Sequence, residues 1–223
     1  KQKQCARFIC SKIYRYFVQP SINKDHLDEM IDVFYPTYDI DVLMRHVLMS
    51  DWFYDEKNRG AKIKSPIELL VGIQQIVPLE FKKQKQLLNL QKVMGQVLLY
   101  PPNVAGWKQD KNWIDSNTLL FRIKLPSVLI NNTVIRFEQK GEFEDSFDTY
   151  YTRTKKAGSR IEIEKDWSIF NRNFKVLNYQ KIKENIIIGK IDPDTNNFLE
   201  NLANQDKKEY LVQLMSLPEY QLC

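Results

Sequence analysis

Asn103, Trp107, Trp113 and Arg122 set an amide, two indoles and a guanidinium within about twenty residues of one another. Flat rings beside a planar cation form a shelf suited to recognising carbohydrate, peptide or carboxylate. The same side chains also serve structure: indoles fill core gaps, and a guanidinium can bond loop carbonyls. A hydrolase acting here on glycan or peptide would need carboxylates, and Glu68 or Asp115 could supply them. The four residues cluster on and after Tyr100-Pro-Pro-Asn-Val-Ala-Gly-Trp107, which breaks two apolar, helix-patterned segments. Pro101 and Pro102 end the helix before them, because proline lacks an amide donor and disfavours helix in the preceding residue. Gly106 permits a positive φ or a close backbone approach.

Other chemistry is thinly represented. Glycine-rich phosphate loops, Gly-x-Ser-x-Gly and His-Glu-x-x-His do not occur in the sequence. His26 and His46 are the chain's two histidines, and both read as lying on polar helix faces, with His46 exposed. Asp192-x-Asp194-x-Asn196 resembles half a calcium loop, but Asn197 and Ala203 stand where glycine and glutamate are needed, so Asp192 reads as a helix cap. The acidic stretch Glu142–Asp148 reads as a solvated face or a helix. Of the three cysteines, Cys5 and Cys10 fall on different helix faces and Cys223 is terminal. Neither a disulfide framework nor a zinc site is expected, and no metal or cofactor is predicted.

The chain has 223 residues, 43% hydrophobic, and 33 basic against 28 acidic side chains. Its lysines are scattered rather than gathered on one stripe, which argues against nucleic acid as a partner. No apolar run approaches the ~20 residues of a membrane span. Without an initiator methionine, Lys1 reads as the start of an excised piece, and the missing N-terminal part of the same protein is an expected partner.

Helical periodicity runs through 4–18 (Cys5, Phe8, Ile9, Ile13, Tyr16 and Phe17 inward), then a segment capped by Asn23, then 39–50. Trp52, Phe53 and Tyr54 anchor a polar loop. Ser65-Pro66-Ile67-Glu68 reads as a capping box. It opens a helix to Pro78, followed by a longer one over 79–99, whose Gly95 suggests a close neighbouring backbone. Asp115 or Ser116 caps the next helix, which Pro126 kinks or divides. Val134–Phe137 and Arg160–Glu164 alternate as strands do. Helical spacing resumes at Trp167–Phe174, after Asp192 and over Lys207–Leu217, while Ile186–Ile188 fits strand or helix. The predicted fold is mainly α, a multi-helical single domain over 1–223 with a small two-stranded β excursion in the second half. It comprises a helical body over 1–130, a less regular α/β elaboration over 131–191, and C-terminal helices over 192–223.

Arg7–Val18, Lys64–Gly72, Met94–Trp107, Trp113-Ile114, Arg122 and Leu217-Pro-Glu-Tyr-Gln221 together resemble, in order, the bacterial family known as domain of unknown function 1800. The chain resembles the C-terminal portion of a longer member. The resemblance implies an exported parent protein, periplasmic, secreted or otherwise in the cell envelope. It implies no established activity, so the expected role is a non-catalytic binding or assembly module, with an envelope hydrolase as the alternative.

Overall fold

Helix starts follow the capping chemistry of the sequence. In the computed structural model, which describes residues 2–132, 161–203 and 206–223, Asn23 Oδ1 accepts from the amides of Asp25 and His26. Ser65 and Glu68 close a reciprocal box, Asp115 caps with Thr118 answering, and Asp192 accepts from Asp194 and Thr195. Each bond satisfies amides that the first helical turn leaves without partners.

Ten α-helices occur among the described residues. They are α1 (Lys3–Phe17), α2 (Lys24–Phe34), α3 (Ile40–Met49), α4 (Pro66–Ile76) and α5 (Gln84–Val93). The remainder are α6 (Ser116–Asn131), α7 (Ser168–Phe174), α8 (Tyr179–Ile186), α9 (Pro193–Leu202) and α10 (Lys207–Met215). A two-stranded antiparallel sheet pairs β1 (Leu79–Phe81) with β2 (Ile163–Lys165), Glu80 opposite Glu164. Among the described residues the fold is mainly α with one small sheet, as predicted.

Several local expectations change. The helix expected over 79–99 is instead β1 followed by α5. After Pro78, Gln74 bonds both the amide and the carbonyl of Leu79, which holds the chain extended. Lys82 and Lys83 then pair across the sheet with Glu164 and Glu162, relieving the facing carboxylates. Gly95 has no close neighbour for a Cβ; it sits at φ +83 as the left-handed residue that ends α5. The partner of the predicted 160–164 strand is therefore β1, while Val134–Phe137 and the acidic 142–148 stretch lie outside the described residues. Helix α6 continues through Pro126 without division. Ile186 ends α8 and Ile187 leaves it in an extended conformation, both buried.

The chain forms two compact units, one of Lys1–Ile63 with Leu222–Cys223 and one of Lys64–Gln221. Composition marks no boundary at this point. In the first unit, α1 buries Ala6, Cys10 and Tyr14 rather than the expected aromatic stripe, while Phe8, Tyr16 and Phe17 remain exposed. Small residues let α2 approach with Met30, Ile31 and Phe34 in its core-facing row. No disulfide links the cysteines among the described residues, Cys5 being exposed and Cys10 buried; burial pushes the Cys10 thiol up to about 11. His46 is half-buried rather than exposed. Its Nε2 lies 3.4 Å from a Glu29 oxygen, and Trp52 donates to the same carboxylate while His26 stacks on its indole at 4.4 Å.

In the second unit, Leu69, Ile73, Phe121, Leu125, Leu129, Phe170, Ile182, Leu211 and Met215 share one core. The buried faces of α4, α6 and α10 meet there. This core supports both places where the motif residues gather.

Candidate functional site

The turn after α5 is built by side chains that stand in for missing helix bonds. Gln91 Oε1 accepts from the Leu98 amide, and Gln96 Oε1 accepts from Ile67. Asn103 orients the turn: its Oδ1 accepts from Ala105 and its carbonyl from Gly106, which sits at φ +87. Trp107 is half-buried against Lys92, Gly95, Val97, Tyr100 and Pro102, around a hollow of only about 10 Å³. Its Nε1 is buried without a hydrogen-bond partner among the described residues. Above this support, Leu98, Leu99, Tyr100 and Val104 project into solvent. Leu99 is 88% exposed and held at φ +64, a region that costs L-residues about 1–2 kcal/mol.

The other expected members do not complete a shelf with this turn. Trp113 ends the short 3₁₀ helix Asp110–Trp113 and is buried, with its carbonyl accepting from the Thr118 hydroxyl. Arg122 is wholly buried on α6 and bonds segments remote in sequence. Its Nε donates to Gln221 Oε1 at 3.0 Å, and an Nη donates to the Lys64 carbonyl at 2.5 Å. A buried guanidinium needs such acceptors, and exposed turn carbonyls would not provide them out of water. Burial lowers its pKa to about 10 against the opposing pull of the Glu68 charge, so it stays cationic at neutral pH.

Around Arg122 the motif pieces converge. Lys64 donates from its backbone amide to Gln221 and from Nζ to the Tyr220 carbonyl, with Nζ 3.8 Å from the Tyr220 ring centre. The Tyr220 hydroxyl would lie 3.2 Å from a Cβ at Gly72, so glycine keeps that helix face open for the ring. Burial pushes the Tyr220 phenol strongly upward. Lys64, Gly72, Tyr220 and Gln221 are the partners that sequence spacing missed. The signal available was their membership of the same motif set, but separations of 58 and 99 residues conceal the contacts.

The alternative carboxylates are occupied. Glu68 Oε2 accepts from the Ser65 amide at 2.6 Å. Asp115 accepts from the amides of Asn117 and Thr118, and these bonds hold its carboxyl below the usual range. General-acid work needs a carboxyl raised towards neutral pH, the opposite direction. No group of three or more His, Cys, Asp and Glu side chains placed to hold a metal occurs among the described residues. Asp192 is engaged as a cap, as expected. A separate open cleft of about 300 Å³ lies among α8, α9 and α10, lined by Tyr179, Lys183, Glu200 and Tyr210 among others. Its Lys183 and Glu200 are both bonded to Asn196.

No helix among the described residues is long and apolar enough to cross a membrane. The chain has no significant match among curated proteins or among solved structures. The model of the family described as Protein of unknown function (DUF1800) matches residues 1–222, and the chain belongs to that family.

Proposed function

We propose that this chain is a non-catalytic binding or assembly module of an exported envelope protein, and that its recognition element is the turn over residues 98–107. The observation that carries the reading is the set of outward-facing apolar side chains Leu98, Leu99, Tyr100 and Val104 on this turn. Large apolar side chains gathered on the surface mark interaction sites. Leu99 in a left-handed conformation adds weight, since backbone strain persists where the surroundings enforce it and often where function uses it. Trp107 and Asn103 act beneath the tip as its support. The suited partner is an apolar peptide segment, either from another protein or from the N-terminal part of the parent. Export and an envelope location follow the family resemblance noted from sequence. The engagement of Glu68 and Asp115 as helix caps weighs against hydrolysis at this turn.

Selection of a random peptide library on the immobilised chain tests the reading. Apolar peptides should be enriched, and Leu99→Ser and Val104→Ser should each weaken their binding about tenfold or more while leaving the unfolding midpoint in place. Enrichment of no apolar peptide, or binding confined to oligosaccharides, would reject it.

A further inference from the structure

We propose that the outward face of α1 docks on the surface of an anionic phospholipid membrane. The inference concerns the first unit and does not rest on the reading of the 98–107 turn. Helix α1 buries Ala6, Cys10 and Tyr14 and carries Phe8, Lys12 and Tyr16 along its outer side at successive four-residue steps. Phe8 is 58% and Tyr16 61% exposed, with Phe17 exposed beside them, its ring 4.9 Å from that of Tyr16. Cations accompany the rings: Lys12 Nζ lies 4.6 Å from the Phe8 centroid, and Lys62 Nζ lies 4.6 Å from that of Tyr16. Arg15 is exposed on the same helix. Residues 1–24 contain no Asp or Glu. Lys3 and Arg7 lie against Asp32 and Asp28 of α2, so the outward charge of α1 is that of Lys12 and Arg15.

Charge selects an anionic partner, and the mixture of rings and cations selects a lipid surface. On a convex helix, rings can enter the headgroup layer while ammonium and guanidinium groups meet phosphates, without any groove or matching shape. A nucleic acid would need a broader positive field, and the acidic residues Asp25, Asp28, Glu29 and Asp32 of α2 limit that field. Because no described helix can span a bilayer, the contact is peripheral.

Co-sedimentation of the full chain with vesicles decides the matter, comparing phosphatidylcholine mixed with phosphatidylglycerol against phosphatidylcholine alone. The chain should bind the anionic vesicles selectively and be released by salt. Lys12→Gln with Arg15→Gln should lower partitioning about 25-fold, at roughly fivefold per cation. Phe8→Gln with Tyr16→Gln should lower it as well, and circular dichroism should report unchanged helix for both pairs. Absence of selective binding overturns the proposal. So does binding that the Phe8/Tyr16 pair leaves intact, which would be bare electrostatic adhesion, and so does binding removed by Leu99→Ser but not by the α1 variants. Equal affinity for a DNA duplex of similar charge density would also overturn it.

Discussion

The surroundings of Arg122 and the tip of the 98–104 turn hold opposite kinds of side chain from those expected by position. A guanidinium and its polar partners lie inside, while leucines, a tyrosine and a valine lie outside. The comparison teaches that one motif set divides into two tasks. Polar members tie distant segments together where water is excluded, so each lost bond leaves a buried group without a partner. Apolar members stand on a hydrogen-bonded turn where burial is available only against something else.

The division can be broken most forcefully at Arg122. Arg122→Met keeps much of the volume but removes the buried bonds to the Lys64 carbonyl and Gln221 Oε1, so urea denaturation should show a loss of about 3 kcal/mol. Peptide binding by the folded fraction should remain. A loss below about 1 kcal/mol would mean that the cluster does not hold the unit together.

A smaller effect of opposite sign is expected at the tip. Leu99→Gly relieves the positive φ, and after the entropic cost of glycine the net gain should be no more than about 1 kcal/mol. Affinity for apolar peptides should fall at the same time. Greater stability with weaker binding is the signature of a position retained for recognition, and a loss of stability would assign Leu99 to packing instead.

The smallest effect belongs to Asp115, which caps α6 between the two regions. Its folded carboxyl titrates below the ordinary value of 3.8, so its stabilisation is present above that value and is lost as pH falls through the lower one. Asp115→Asn retains a capping oxygen without a charge. Wild type should therefore exceed the variant at neutral pH and lose that advantage in acid below pH 3.8, as followed by thermal unfolding across pH. A constant difference would mean that charge plays no part in the cap.

The features legible in sequence were those decided within a few residues. The Ser65/Glu68 box, the Asn23, Asp115 and Asp192 caps and the buried row of α2 all depend on groups three or four positions apart. Local amide donors fix them whatever the rest of the chain does. Pro101-Pro102 is not the helix break expected, since α5 already ends before Gly95. The inward face of α1 was not legible, because apolar side chains lie around most of that helix and only the shape of α2 selects Ala6, Cys10 and Tyr14. His46 was misjudged for a related reason: Glu29 and Trp52, which flank it, belong to other elements.

By itself, then, the sequence determined the helical character of the chain, most helix starts, and family membership through its ordered motifs. Tertiary structure decided the partner of β2, the burial of Trp113, and the assignment of Arg122 to Lys64 and Gln221. The physical reason is range: capping bonds close over one helical turn, whereas a buried charge and a strand edge must be satisfied by whatever the folded chain brings to them.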